Sequence, residues 1–563
     1  MTISVIQDAL LLPFLWVFLF MLTTTVGLAL IPFRNNKGIL SSNFFTWFWY
    51  GLGIIIGFLQ VWNLFLPVNP YSFIPLLAIS VLGITKINKQ DWLLFKNIGW
   101  FSAIALSIIL LFLVLSSLDD SFIYDSLVYH FYTIKWLNAL PVTKGMGNLF
   151  LYLGLNQSYF LFPAFVNSLW NHYKGACATN GFFAFVICFE IISNNARYFA
   201  KKDKLTFLAF FQLLFIPLCI NVGVQNLSSP TPDVFVNLFT FKILSDIIRC
   251  IENEKVTFQD IFLLTYFCLV GVIMKLSFIG VGLGAFTLIV FLGFRDRLWK
   301  QTSIIQSILI FLGFVIPWLI RGIISSGYIG FPISSLGLPV DWRMPKDVLI
   351  TLSAFIKGFA RTHLHGRAGI DAAYNYSWIG DWTKRMLHTT GFILSISTLL
   401  LSIVLLKIKR IDLSKLLIVL TPLSIAIIFW FFTAPDIRFA VFTFWALGII
   451  PVAYMISSFK ISWISNKGFI AFISICSFVV IIRNWNTDLA PLGSLPQQNM
   501  SVFTTKSGLK INTVKNVPPY GDDWQISDCS IPCSVFPDSN LVLRGVEIKD
   551  GFRISSPISR NDH

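Results

Sequence analysis

Apolar residues run along this chain in long blocks separated by short polar breaks. A membrane-crossing helix needs about 20 predominantly apolar residues. Blocks that reach or approach this length fall at 8–32, 45–66, 71–86, 98–117, 176–194, 205–222, 233–250, 261–275, 277–294, 303–324, 388–407, 414–433, 439–458 and 466–483. The pattern predicts an all-α polytopic membrane protein with about fourteen transmembrane helices. The two blocks flanking Lys275 read either as two short helices or as one long tilted one.

Two stretches follow a different rhythm. From Asp125 to Leu140, the residues Leu127, Val128, Phe131, Ile134, Leu137 and Leu140 recur at helical spacing, which predicts an amphipathic helix lying on the membrane surface. The segment after 484 is polar, with Pro, Gly and short alternating runs such as SNLVLRGVEIK, and predicts a small β-rich domain. The chain thus divides at 1–117, 118–175, 176–324, 325–387, 388–483 and 484–563.

Composition agrees with this pattern. Apolar residues make up 56% of the 563 positions and charged residues 12%, with a mean hydropathy of +0.74. So few charges cannot cover the surface of a soluble protein of this length. The net charge of +15 does not imply nucleic acid, because the basic residues cluster between apolar blocks: Arg34 and Lys37; Lys86, Lys89 and Lys96; Arg197 to Lys204; Arg295 to Lys300; Lys407 to Arg410. That is the signature of cytoplasmic loops. The first block lacks a basic leader and a small-residue cleavage site, so it reads as a first span.

The basic loops alternate correctly if the N-terminus lies outside and 156–170 rests on the membrane without crossing it. Both termini, the loop 118–175, the loop 325–387 and the tail then lie on the extracytoplasmic side. Six of the eight cysteines fall in or beside apolar blocks and read as buried thiols. Cys529 and Cys533, in DCSIPC, have no further ligands nearby for zinc, and an extracytoplasmic tail favours a disulfide.

Ionisable residues concentrate where the blocks meet the outer loops. Asp119, Asp120, Asp125 and His130 cluster where the first large loop leaves the bilayer. Asp125 stands at the start of the surface helix, where a carboxylate can simply cap the first turn. The acidic pair Asp119–Asp120 is harder to dismiss, since adjacent carboxylates at an interface repel and mark metal or proton chemistry. Lys275 interrupts about 30 apolar residues, which is costly in lipid unless it is paired or snorkels. Arg321 can anchor at the interface, Arg438 can pair with Asp436, and Asp233 can cap the helix that follows it. In ARTHLHGRAG, His363 and His365 could share a metal on a strand but have no third ligand, while Arg361 and Arg367 suit phosphate or anionic sugar.

The segment YDSLVYHFYTIKWLN, followed by GMGNLFLYLGLNQSYFLFP, resembles the first outer loop of the GT-C superfamily of integral-membrane glycosyltransferases. It resembles most closely an uncharacterised bacterial GT-C-like family. Asp125, Tyr129, His130, Lys135, Trp136, Gly145, Gly147, Asn148, Leu149, Gly154, Asn156 and Ser158 fit that pattern, and Phe150 departs from it where a His is expected. The likeness continues in order through SPTPD, MKLS, PWLIRGIISSGYIGFP, VDWRMPKDV, APDIRFA and NLVLRGVEIKDGF.

The resemblance implies an inverting transfer from a polyprenyl-phosphate-linked sugar to an envelope glycan or glycolipid, on the outer face of a bacterial inner membrane. It implies a carboxylate base near the membrane surface, ranked Asp125, then Asp120 and Asp119. Lys275, Arg321 and Arg438 would steady the departing phosphate. His130, Asp233, Arg361, His363, Arg367 and Asp436 would position substrate. No cofactor is required, though a divalent metal on Asp120 and Asp233 stays open. Two other classes remain: a multi-pass transporter, and a non-catalytic subunit of envelope polysaccharide assembly. Against a carrier stand the lack of an internal repeat and the concentration of charge at outer boundaries. No Walker or dinucleotide-binding motif occurs.

Overall fold

The computed structural model describes residues 2–32, 40, 44–88, 91, 98–120, 122–170, 172–200, 204–224, 227–253, 255–298, 301–364, 366–459, 466–485, 488–515 and 524–555. A helix occupies each predicted spanning segment. Among the described residues, nine helices have the length and hydropathy to cross a membrane. Pro70–Ile84, Phe207–Asn221 and Phe258–Met274 are apolar but shorter. Pro232–Glu252 has the length, at 21 residues, but carries Asp233, Lys242, Asp246, Arg249 and Glu252. The protein is mostly helical and multi-spanning. Its flanks expose large apolar side chains such as Phe14, Leu309, Leu400 and Phe478, a surface suited to lipid.

Small residues let the helices approach closely. A Cβ on Gly27 would collide with the carbonyl of Trp47, and one on Gly284 with that of Pro422. Backbones in contact are the usual means of packing spans where lipid removes the hydrophobic drive.

The two blocks around Lys275 are two helices. Phe258–Met274 stops, Lys275 is extended (φ −155°, ψ 129°), the 3-10 turn Leu276–Phe278 follows, and Ile279–Arg295 begins. In the first outer loop, residues 124–139 are helical, with a π-helical turn at Ser126–His130. Within 156–170, Leu161–Leu169 is a helix of only 9 residues. That is shorter than a membrane-crossing helix requires.

The loop 325–387 is also helical, with Lys346–Thr362, Gly366–Asp371 and Ile379–His388. His363 ends the first of these in the left-handed region at φ 58°. The strand on which His363 and His365 would share a metal is therefore absent at His363, and His365 lies outside the described residues.

In the tail, β1 (Met500–Thr504) pairs antiparallel with β2 (Lys510–Val514), and β3 (Leu541–Leu543) with β4 (Phe552–Ile554). Only Leu541–Leu543 of the SNLVLRGVEIK run forms strand, because a 3-10 turn takes up Ile548–Asp550. Cys529 and Cys533 are disulfide-bonded. The other cysteines are free, and all but the half-buried Cys476 are buried.

The tail is fastened to the outer loops rather than hanging free. Ile526 N–H donates to Leu127 O at 3.0 Å and Phe552 N–H to Lys144 O at 2.9 Å. Tyr132 hydroxyl donates to Cys533 O (2.9 Å) and accepts from Cys533 N–H (2.6 Å). Arg544 pairs with Asp341 at 2.8 Å. Asp8, near the start of the first helix, accepts from Lys174 Nζ (2.8 Å) and Leu492 N–H (2.9 Å). The segments read as outer loops thus form one cap at a single end of the bundle.

Candidate functional site

Asp125 stands where the first outer loop turns into its helix, beside the π-helical turn. Such turns recur at functional sites because the extra residue re-aims neighbouring side chains. Its carboxylate makes no capping bond. Instead Oδ2 accepts from Arg438 Nη1 at 3.4 Å. Arg438 lies on the 3-10 turn Ile437–Phe439, between two spanning helices. Asp436 opens that turn and accepts from the Arg438 N–H at 3.0 Å. It also meets Arg438 Nε at 3.6 Å and His363 Nε2 at 3.4 Å. Arg438 therefore pairs with both acids, and Asp436 is held from three sides.

A second ion pair lies close by. Lys275 bonds the Asp233 carboxylate. Thr231, not Asp233, caps the helix that begins at Pro232. Lys275 sits 5.2 Å from the centroid of the Phe439 ring and Arg438 4.7 Å from it, so one ring serves two cations.

Both pairs line one cavity of about 600 Å³. Its polar end holds Asp125, Asp233, Lys275, Lys357 and Arg438, with Gln157, Tyr129 and Tyr152. Its flank is apolar, made by Gly280 and Val281 on one span and Ala426, Phe429 and Phe432 on the next. Leu276 and Phe432, which also line it, remain solvent-accessible, so this flank is open rather than sealed. The helix Lys346–Thr362 roofs the cavity with Ile356, Lys357 and Phe359.

Burial pushes the Asp125 carboxyl above the ordinary carboxylate range; Asp233 and Asp436 push it further, while Arg438 and Lys275 partly offset this. Its side chain keeps 36% of its surface because it faces the cavity, with protein around the rest. Burial works against the charge on Arg438, yet Asp125, Asp436 and Asp233 outweigh it and raise its affinity for the proton. Burial and the Asp125 charge together raise Tyr152 to about 12 and lift Tyr129 well above its ordinary value, so both hydroxyls stay protonated. The site can thus offer a carboxylate base, three cations and two phenol donors.

Other expected site residues lie elsewhere. Asp119 bridges to Leu489 of the tail, Asp120 is exposed, and neither lines the cavity. Arg321 is buried in its span, donates to Asn63 Oδ1 at 2.5 Å and lines a separate, small pocket. Arg361 donates to Ala372 O and Ala373 O, both at 2.9 Å, and stacks on Trp378, which commits it to holding the second outer loop. Arg367 is exposed. His130 is buried behind Tyr129 with Nδ1 at 2.7 Å from Ser126 Oγ, and burial lowers its pKa well below the usual imidazole value. Asp233 lines the cavity while Asp120 does not, and among the described residues no group of three or more His, Cys, Asp or Glu side chains is placed to hold a metal.

Several residues of the site were not foreseen. Lys357, Gln157 and Tyr152 reach the cavity from segments whose register only folding reveals. A buried network also breaks the expectation that charge sits at outer boundaries. Lys242 meets Asp246 at 2.5 Å and Glu190 at 3.6 Å, and Glu190 accepts from Trp49 Nε1 at 2.8 Å. The signal was in plain view: Glu190, Lys242 and Asp246 all lie inside apolar blocks.

Residues 10–445 match the family model described as Domain of unknown function (DUF8201). No curated protein and no solved structure matches the chain.

Proposed function

We propose that this chain, which belongs to the DUF8201 family, is a membrane glycosyltransferase that moves a sugar from a polyprenyl-phosphate-linked donor to a glycan or glycolipid acceptor. One observation carries the reading: Asp125, Arg438 and Lys275 line a single cavity whose flank is apolar. A prenyl donor needs these parts together. Its phosphate cannot leave the headgroup layer, its chain requires apolar surface, and its reacting carbon must meet a base.

In this reading Asp125 takes the proton of the acceptor hydroxyl as that oxygen bonds to the anomeric carbon from the face opposite the phosphate. The carbon–oxygen bond to phosphate breaks, and its electron pair leaves on the polyprenyl phosphate. Arg438 and Lys275 steady that charge, each exchanging a carboxylate partner for phosphate oxygens. The configuration at the anomeric carbon inverts. The raised proton affinity of Asp125 suits it to this work near neutral pH.

The proposal includes about fourteen spans in a GT-C-like arrangement, with both termini and the cavity on the extracytoplasmic side of a bacterial inner membrane. The test is release of polyprenyl phosphate by purified protein and by its Asp125→Asn variant. Loss of release supports the reading. Unchanged release sinks the base assignment, and uptake of a soluble solute into proteoliposomes would favour a transporter.

A further inference from the structure

We infer that a second cavity, beside the one that holds Asp125, is a carbohydrate site and receives the acceptor glycan. This cavity is about 530 Å³ and lies between the first outer loop, the Lys346–Thr362 helix and the tail. Its volume falls within the range of ordinary small-ligand sites, about 300–1,000 Å³.

The two cavities share a wall. Tyr152 and Phe355 line both. The helix Lys346–Thr362 presents Ser353, Ile356 and Lys357 to the first cavity and Asp347, Thr351 and Leu352 to the second. The helix that carries Asp125 does likewise, with Asp125 and Tyr129 on one side and Val128 on the other. Tyr152 stacks on Tyr129 with ring centroids 4.9 Å apart, which places the partition directly behind the Asp125 side of the site. A glycan bound in the second cavity therefore lies next to the site that holds the base, with Tyr152 and Phe355 at the boundary through which its reacting hydroxyl would pass.

The lining selects the class of ligand. Trp524, Phe536, Phe150, Tyr152 and Phe355 supply aromatic surface. Trp524 and Phe536 meet edge to face at 4.9 Å, forming a corner with two ring faces turned different ways. Sugar rings carry a C–H face that rests on the negative face of an aromatic ring, and a rim of hydroxyls that needs polar partners. Asp347, Asp538, Thr351, Ser534 and Asn148 provide that rim. Asn148 is fixed by its Nδ2 bond to Trp342 O at 2.8 Å, and its Oδ1 is buried without a partner.

Charge then separates the two cavities. The described residues lining the second include two carboxylates and no Lys, Arg or His, whereas the first offers Lys275, Lys357 and Arg438. Anionic phosphate belongs in the first, and a hydroxyl-rich, uncharged or amino sugar in the second.

Binding of a glycan here does not depend on catalysis, although its identity as the acceptor rests on the transferase reading. The test uses the purified full chain on a printed array of bacterial envelope glycans. The wild type and Asp125→Asn should retain the same uncharged or amino-sugar glycans, while Trp524→Ala and Phe536→Ala lose at least about ten-fold in signal. Phe536 is exposed, so its loss spares the fold. Retention of no glycan, or full retention by Phe536→Ala, overturns the inference. Where transfer can be assayed, Phe536→Ala should raise the acceptor KM about ten-fold with kcat little changed. Transfer with an unaltered acceptor KM defeats the carbohydrate site and leaves the transferase reading standing; glycan binding without transfer does the reverse.

Discussion

Asp125 and Arg438 lie 313 residues apart in the chain and meet at 3.4 Å in the wall of one cavity. The contact joins the first outer loop to the turn before the helix Val441–Phe459. Replacing Asp125 by Asn keeps the size of the side chain and removes the base. Sugar transfer should fall by about 100-fold or more, within the range typical of lost general-base catalysis. Release of polyprenyl phosphate from a labelled donor measures it.

The raised pKa of Asp125 makes a second, opposite prediction about stability. A carboxyl whose folded pKa lies above its unfolded value, about 3.9, favours folding most when protonated, at acid pH. That contribution is lost as pH rises through the folded pKa. At neutral pH the ionised group is therefore a burden on the fold, and Asp125→Asn should unfold at a higher temperature than the wild type. The gap should close as the pH is lowered. Thermal scans in detergent at several pH values read it directly, and a lower unfolding temperature at neutral pH would count against the buried, ionised carboxylate.

Lys275 and Asp233 are mostly buried and bonded to each other. Lys275→Met leaves an uncompensated carboxylate, and loss of one partner of a buried pair costs on the order of 3 kcal/mol. Adding Asp233→Asn should restore most of the stability without restoring donor affinity. Unfolding temperature and donor KM, measured on the same three variants, separate the structural role of the pair from its role in holding phosphate.

The same logic applies deeper in the bundle, where Lys242 serves Asp246 and Glu190. Lys242→Met should cost roughly 3–5 kcal/mol and abolish a monodisperse peak in size-exclusion chromatography. The triple change with Glu190→Gln and Asp246→Asn removes the charges together and should recover the peak. A single variant as stable as the wild type would refute the network's contribution.

Tyr132→Phe tests how the tail is held. The hydroxyl gives one hydrogen bond to Cys533 O and takes one from its N–H, and an unsatisfied buried N–H costs about 1–3 kcal/mol. Hydrogen exchange over 526–535 should quicken, with the spanning helices unaffected.

Much of this was legible before folding, for reasons that differ from residue to residue. The spans could be read because burial in lipid leaves an apolar block in the sequence, and the alternation of basic loops argued for keeping 156–170 on one side. Asp233, Lys275 and Arg438 were conspicuous as charges at block ends, and they do meet. Asp119 and Asp120 looked equally conspicuous, but one turn separates a cavity from a tail contact, and no local pattern records that difference. Arg361 resembled a ligand-binding arginine, yet its partners are carbonyls 11 and 12 residues on, fixed only by how the loop folds back. Tyr152 and Phe355 became significant solely as the shared wall of two cavities.

The break at Lys275 has a consequence for the membrane itself. Phe258–Met274 has 17 residues, about 25 Å at 1.5 Å per residue, against a hydrocarbon core of about 30 Å, whereas Leu276–Arg295 has the 20 residues of a full span. Thinning of the bilayer is one way such a mismatch is relieved. Thinning at this helix would bring headgroups toward Lys275, which directly follows it. Under the proposed transferase function, a prenyl phosphate in the leaflet would then meet Lys275 at a depth that suits both its anion and its chain, and the bilayer's own shape would become part of how substrate is gathered.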